Sequence, residues 1–247
     1  MVFLSRFIAF FFFVYAMTVH AEPLKVWGNE QLPPMGYLTD GKPAGFGVEI
    51  TKAVLDKAGI EYEVNLAPWA RAYEEAKNGN GAVFGMYWTE ERSVLFDYTL
   101  PLWQEDIVIV TKKGKEFPFN SIEDLRGRVI AYQKGTRPGT AFERSLKLNM
   151  FIGDPDNYPP ARLQKILLDR VDAGVFNPGL AAVVWNSKKG NLPVNQFTVL
   201  EKPLATKYKH IAILKSETSE QFIKTLDKAI EALKESDAIN RIMQSYH

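Results

Sequence analysis

The 247-residue sequence lacks cysteine entirely and contains only three histidines. Without cysteine there can be no disulfide, thiolate metal site, iron–sulfur cluster, thiol nucleophile or lipid attachment through an N-terminal cysteine. His20 lies near the N-terminus and His247 is the last residue, so His210 is the only internal histidine. A multi-histidine metal site is therefore excluded, and a Ser–His–Asp triad would depend on His210 alone. We predict no metal ion and no cofactor.

An excess of charge of one sign is also missing. Lys and Arg number 30, Asp and Glu number 29, and Arg6 is the only one of these within residues 1–21. The rest of the chain therefore has a formal net charge of zero, whereas a nucleic-acid-binding protein needs a basic surface to displace phosphate counterions. With 46% hydrophobic and 24% charged residues, the composition is typical of a globular protein and excludes general disorder. The length allows one large domain or two smaller lobes.

Hydrophobic runs long enough to span a membrane are absent as well. The longest apolar run, residues 7–16, is too short, because about 20 helical residues are needed to cross a bilayer. Arg6 precedes this run, and the small residues Val19 and Ala21 follow it at the −3 and −1 positions of a cleavage site. The arrangement predicts a secretory signal peptide over 1–21, cleaved after Ala21, with an uncleaved anchor as the alternative. We expect a periplasmic protein that does not insert into the membrane after cleavage.

From residue 24 onward, short apolar runs alternate with amphipathic helical patterns, which predicts an α/β fold. The residues 29–45 are rich in proline and glycine and are predicted to form a loop. The predicted strands are 24–27, 62–66, 81–86, 106–111, 128–132, 173–176, 197–200 and 209–214. The predicted helices are 48–58, 69–78, 90–95, 139–148, 161–168, 179–185 and 219–234, with a short helix after Ser236.

A series of short motifs runs along the same region. They are VWGNE from Val26 followed by Pro33 and Pro34, YLTDGKPAGFGVEI from Tyr37, PWAR from Pro68, TEER from Thr89, FDYTLP from Phe96, SIEDLRG from Ser121, YQKGT from Tyr132 and VDA from Val171. Each motif alone is a weak signal, but their order and spacing resemble the type II periplasmic solute-binding proteins. The resemblance is to the polar-amino-acid branch, solute-binding protein family 3, and it covers residues 24–246.

The resemblance implies a two-lobed α/β fold of the periplasmic binding protein type II class. Each lobe would be a mixed sheet flanked by helices, and two hinge crossings would join the lobes. Lobe 1 would comprise residues 22–105 and 206–247, and lobe 2 residues 106–205. The lobes would close on a small solute bound beyond the carboxyl ends of the strands, and the solute would stabilise the closed state.

Arg92 is the first candidate ligand-binding residue. It lies three residues after Thr89, the predicted cap of a short helix, so it falls in the first turn, where free N–H groups attract anions. A guanidinium can hold a carboxylate through two hydrogen bonds, and the matching arginine of the family does so. The alternative is an exposed ion pair with Glu90 or Glu91.

Three further candidates lie in loops that the resemblance places at the ligand. Gly85 and Tyr87 precede the Arg92 helix, where the family presents backbone groups and small hydroxyl residues. Tyr87 and its neighbour Trp88 are bulkier than that pattern, which indicates a narrower or more aromatic pocket, or simply lobe packing. Thr136 matches a lobe 2 residue that donates to the ligand carboxylate; the alternative is an ordinary strand-to-helix turn.

Asn177 departs from the family pattern, which commonly has an aspartate there that pairs with the ammonium of the ligand. Neutral Asn177 supplies no charge. Glu30, in the loop after the first strand, is a candidate to compensate, or else an ordinary solvated acid. If Glu30 does not compensate, the ligand lacks an α-amino group.

Trp69 and Arg71 begin a helix two positions apart, so they do not share a face. We expect Trp69 to form an aromatic wall of the site and Arg71 to point elsewhere. Tyr37 either lines the same cleft or packs in the core or at the rim.

The resemblance implies a non-enzymatic, monomeric protein that binds an amino acid or related small carboxylate for delivery to an ABC importer, with no catalytic residue. One alternative is an enzyme on the same fold, similar to cyclohexadienyl dehydratase. Such an enzyme needs a proton donor in the cleft, and Glu30 is the only candidate. The other alternative is a soluble sensor module that presents its ligand to a membrane receptor.

Overall fold

The computed structural model describes residues 22–136 and 138–246, and the predicted signal peptide lies outside them. The strands are β1 (Leu24–Asn29), β2 (Tyr37–Thr39), β3 (Lys42–Ala44), β4 (Tyr62–Ala67), β5 (Ala82–Tyr87), β6 (Phe96–Tyr98), β7 (Trp103–Lys112), β8 (Val129–Gln133), β9 (Ile152–Asp156), β10 (Ala173–Phe176), β11 (Phe197–Val199) and β12 (Ala205–Leu214). The helices are α1 (Phe46–Ala58), α2 (Trp69–Lys77), α3 (Glu90–Ser93), α4 (Thr140–Lys147), α5 (Pro159–Leu167), α6 (Gly179–Lys189), α7 (Ser219–Glu235) and α8 (Ala238–Gln244). Two short 3₁₀ helices lie at Ile122–Leu125 and Val194–Gln196.

The strands form a continuous sheet in the order β4-β1-β5-β12-β7-β10-β8-β9. The three strands at each end pair in parallel, as expected for βαβ connections, whereas β12 and β7 in the centre pair antiparallel. β11 also pairs with β7, and β6 with β12, while β2 and β3 form a separate hairpin. The sheet therefore consists of a first parallel group (β4, β1 and β5) and a second parallel group (β10, β8 and β9). The long strands β12 and β7 join the two groups.

Each central strand divides its pairing among three neighbours. The first half of β12 pairs with the first half of β7, from Ala205 opposite Ile107 to Lys209 opposite Trp103. The second half of β12 pairs with β5, and the second half of β7 pairs with β10 and β11. Two antiparallel segments thus link one group of strands to the other.

Helices cover the sheet and create separate apolar cores. In the first group, α1 and α7 bury residues such as Ile50, Val54, Leu226 and Ile230 against β1 and β5. A smaller cluster with Ala76 of α2 lies around Val83, Met86 and Phe96. In the second group, one cluster contains Phe142 of α4 and another contains Leu163 of α5. Each group of strands is therefore packed on its own core.

Several elements differ from the sequence-based expectation. The predicted loop over 29–45 contains β2 and β3, β12 begins four residues earlier than predicted, and β6 and β9 were not predicted. The sequence of β9, IGDPD, has low strand propensity, which its position at the end of the sheet allows. No helix among residues 22–136 and 138–246 is long and apolar enough to cross a bilayer.

Candidate ligand-binding site

A small cavity of about 40 Å³ lies where β1 and β5 of the first group face loops that follow β8 and β10 of the second. The residues that line it include six of the seven predicted site residues, namely Trp69, Gly85, Tyr87, Arg92, Thr136 and Asn177. The lining also includes Asn29, Leu32, Met35, Gly135 and Lys209. The structure thus brings side chains from both groups of strands to one point, and their role as ligand contacts stays a prediction.

Arg92 is held at the cavity by its helix and by aromatic rings. The Thr89 hydroxyl oxygen accepts a hydrogen bond from the Arg92 backbone N–H at 3.2 Å, so the predicted cap of α3 is present. The Arg92 guanidinium carbon lies 5.4 Å from the centre of the Trp69 ring and 5.3 Å from that of Tyr73, distances at which a cation is attracted to a ring face. Its Nη1 donates to the Tyr87 carbonyl at 3.3 Å. Trp69 therefore forms a wall of the cavity together with Arg92.

Gly85 is required by the backbone of β5. Its φ of +72° is in the left-handed region, and a Cβ there would lie 3.2 Å from the Met35 methyl carbon. A larger residue would be strained and would press against the Met35 side chain.

Tyr87 is buried, with 9% of its surface exposed. Its hydroxyl is hydrogen-bonded to Glu105, and the Asn177 side-chain nitrogen lies 3.3 Å from it. The Lys209 ammonium lies 3.7 Å from the centre of the Tyr87 ring. Burial and the nearby Glu105 carboxylate raise the pKa of Tyr87 well above its ordinary value. Tyr87 is therefore a neutral phenol that donates to Glu105.

Glu105 and Lys209 form a buried charge pair that the sequence reasoning missed. Glu105 is 2% exposed and Lys209 is 3% exposed. The Lys209 ammonium lies 3.6 Å from Glu105 Oε1, and Asn177 donates to the same oxygen at 2.9 Å. Burial lowers the pKa of Lys209, and the Glu105 carboxylate opposes that effect.

Strand alternation could have located this pair. Glu105 lies between Trp103 and Ile107 at period two, so all three side chains face the same, buried side of β7. Lys209 and Ile211 are likewise two positions apart on β12, so both side chains face its buried side. A charged residue at an inward position of a strand needs a partner. The sequence signal for this pair is therefore a charged residue at an inward position of each strand.

Thr136 and Asn177 bring the second group of strands to the cavity. The Thr136 hydroxyl donates to the Gln133 carbonyl at 2.7 Å, within the turn that follows β8. Asn177 follows β10 and donates to Glu105 and Tyr87. Asn177 therefore donates to one oxygen of a buried carboxylate of the chain itself.

The remaining candidates lie elsewhere. Glu30 and Tyr37 line a second, wider cleft of about 900 Å³, where the Tyr37 ring centre is 4.5 Å from that of Trp185. The Arg71 side chain is 68% exposed and lies 3.7 Å from Glu75. Trp88 is 56% exposed. Glu30 is not among the residues that line the small cavity, and this placement does not support the hypothesis that it compensates for Asn177.

His210 is not part of the cavity lining. Its Nδ1 lies 2.7 Å from the Thr99 carbonyl oxygen, and its ring meets Tyr98 edge to face. Burial lowers the pKa of His210. In residues 22–136 and 138–246 no group of acidic residues and histidines could hold a metal ion.

A cavity that is lined by residues from both groups of parallel strands is typical of solute-binding proteins that hold a ligand between two halves. Residues 24–247 match the profile of the bacterial extracellular solute-binding proteins, family 3, and the chain belongs to that family. This confirms the resemblance and the predicted fold class.

Individual relatives agree with this assignment. The chain is 23% identical over 228 residues to the probable amino-acid-binding protein YxeM of Bacillus subtilis, covering 90% of this chain and 83% of YxeM. The structure of an ancestral arginine-binding protein bound to arginine is similar with a TM-score of 0.74 at 25% identity, covering 91% of this chain and 97% of that one. A histidine kinase sensor domain with similarity to periplasmic binding proteins gives a TM-score of 0.75 at 20% identity, covering 91% and 96%, which shows the fold alone.

The family consists of extracellular solute-binding proteins, which confirms the expectation of a non-enzymatic solute-binding protein outside the cytoplasm.

Proposed function

We propose that this chain binds a small carboxylate, an amino acid or a related acid, in the cavity at Arg92 and delivers it to an ABC importer. The observation that carries the proposal is the Arg92 guanidinium at the wall of a small cavity. A guanidinium can hold a carboxylate through two parallel hydrogen bonds, and exclusion of water strengthens both. YxeM, a probable amino-acid-binding protein, and the arginine-bound ancestral protein support this ligand class.

The ligand would be held from both sides. Trp69, Gly85, Tyr87 and Arg92 belong to the proposed lobe 1, residues 22–105 and 206–247. Thr136 and Asn177 belong to the proposed lobe 2, residues 106–205. A ligand that contacts both lobes stabilises the closed arrangement relative to an open one.

The paired first halves of β7 and β12 are the proposed hinge. Asp106 lies opposite Thr206 in the ladder, and the Thr206 hydroxyl donates to the Asp106 carboxylate at 2.6 Å. Both proposed crossings, at 105–106 and 205–206, thus fall in one two-stranded segment. Such a segment can bend while its pairing persists.

We further propose that the protein acts in the periplasm as a monomer, after removal of the signal peptide over 1–21, and that its partner is an ABC permease. The family assignment and the apolar run at the N-terminus support the location.

Melting curves with a panel of amino acids, organic acids and amines without a carboxylate test the proposed ligand class. Carboxylates of one class should raise the melting temperature by about 5 °C or more at concentrations of about 100 times Kd, because binding stabilises only the folded state. Amines without a carboxylate should give no shift, and the bound acid should be recovered unchanged. A panel in which no carboxylate raises the melting temperature would contradict the proposal.

A further inference from the structure

The charges around the cavity are unequal. Its lining contains two cationic side chains, Arg92 and Lys209, and no aspartate or glutamate. The other polar side chains of the lining are neutral: Asn29, Tyr87, Thr136 and Asn177. Among the described residues of the lining there is thus no anionic partner for a cationic group of a ligand.

The nearest carboxylate, Glu105, is already engaged by the protein. Its Oε1 is shared by the Lys209 ammonium at 3.6 Å, the Asn177 amide at 2.9 Å and the Tyr87 hydroxyl. Its Oε2 has no hydrogen-bond partner among the described residues, but it is buried, and Glu105 does not line the cavity. A ligand ammonium would therefore compete with Lys209, Asn177 and Tyr87 for this carboxylate.

The free-energy cost of burying a charge therefore differs between a ligand that has an ammonium group and a ligand that has a hydroxyl or keto oxygen in its place. A buried ammonium needs a carboxylate or several acceptors, and here it would instead approach the like charge of Lys209. A hydroxyl or keto oxygen at the same position would accept a hydrogen bond from Lys209 without any such cost.

We infer that the ligand is a small carboxylate without an α-amino group, a hydroxy or keto acid, and that Lys209 is the residue that excludes amines by occupying Glu105. This inference rests on the proposed function and narrows it. The cavity volume of about 40 Å³ in this conformation favours a small ligand, and the charges of the lining select against an amino group.

Calorimetric titration of the purified protein with isosteric sets tests the inference. The sets are L-lactate, pyruvate and L-alanine, and L-malate, oxaloacetate and L-aspartate. Within at least one set, the hydroxy or keto acid should bind at least tenfold more tightly than the amino acid. Equal or tighter binding of the amino acid would overturn the inference and leave the carboxylate clamp intact. Binding of no acid from either set would overturn the inference and count against the proposed function itself.

Two variants test the role of Lys209. Lys209→Met leaves Glu105 without a cation, so the ratio of amino-acid to hydroxy-acid affinity should rise at least tenfold. A purely structural role would weaken both acids equally and leave the ratio unchanged, which would overturn the assignment.

The double variant Lys209→Met, Glu105→Gln removes both buried charges and protects against misfolding of the single variant. The double variant should bind the hydroxy acid and the amino acid with similar affinities. A preference that persists in the double variant would overturn the role of Lys209.

Discussion

Tyr87 connects the two groups of strands through its ring and its hydroxyl. The ring packs in a cluster with Ile107, Ile109 and Val175, while the hydroxyl bonds to Glu105 and lies beside Asn177. Since its raised pKa keeps the phenol neutral, the donor is retained at all physiological pH values. A residue that the sequence marks as unusually bulky for its loop is therefore a structural link between the halves.

Tyr87→Phe should lower the free energy of unfolding by about 1.5–3 kcal/mol, because the buried Glu105 carboxylate loses a hydrogen bond. Urea denaturation measures the change. The matched control is Tyr208→Phe, since Tyr208 is 52% exposed. A loss in the Tyr87 variant no greater than that of the control would contradict this account of the link.

His210 should make stability depend on pH. Burial lowers its pKa below the ordinary value, so the folded chain binds fewer protons at this site than the unfolded chain. The stability that results is present above the unfolded pKa of about 6.5 and is lost as the pH falls through the lower, folded pKa.

His210→Gln should therefore lose less stability than wild type between about pH 8 and pH 5, as measured by urea midpoints at both values. The glutamine amide can still donate to the Thr99 carbonyl. An equal loss in both proteins would show that other groups carry the acid sensitivity.

The candidate site could be predicted in part from sequence. Arg92 and Thr136 lie in the motifs TEER and YQKGT, Asn177 follows the predicted strand 173–176, and all three line one cavity. Glu105 and Lys209 were missed because their partnership depends on the register between β7 and β12, which joins residues about one hundred positions apart. Strand alternation shows that each of these side chains faces inward, but it does not show which residue is the partner.

At the scale of elements, α1 shows how a local signal fixes a boundary. Gly59 follows the helix with φ 68° and ψ 30°, and its N–H bonds to the Asp56 carbonyl. A left-handed residue at this position is common at helix ends and strongly favours glycine. The sequence-based end of this helix is confirmed for that reason.

Gly59→Ala should lower the free energy of unfolding by about 1–2 kcal/mol, because a Cβ is unfavourable in the left-handed region. No heavy atom lies within 4 Å of the added carbon, so the cost is conformational alone. The control is Asn78→Ala after α2, where φ is −84° and a change within about 0.5 kcal/mol is expected. Equal effects in chemical denaturation would contradict the conformational explanation.

The helices and the apolar strands could be predicted because their periodicity is local. The start of β12 could not, because Lys207 resembles part of a solvated segment until the facing Glu105 is known. The hairpin of β2 and β3 was not predicted for a similar reason, because it lies in a proline- and glycine-rich stretch that resembles a loop. Pairing across the chain decides these cases, and local propensity does not.

At the scale of the whole molecule, we expect the two proposed lobes to move as units about the paired first halves of β7 and β12. In small-angle X-ray scattering, a saturating carboxylate ligand should reduce the radius of gyration, because the bound ligand favours the closed arrangement. The forward-scattering intensity should correspond to a monomer. An unchanged curve at saturation would contradict lobe closure.

The affinity of Arg92→Ala for the carboxylate that binds wild type tests the central claim most directly. Isothermal titration should show a Kd at least about 30-fold weaker, since loss of a buried charged partner costs about 2 kcal/mol or more. The matched control is Arg71→Ala, whose exposed side chain lies near Glu75, and its Kd should equal that of wild type. If the Arg92 variant binds the same acid as tightly as wild type, the carboxylate is not held by this guanidinium.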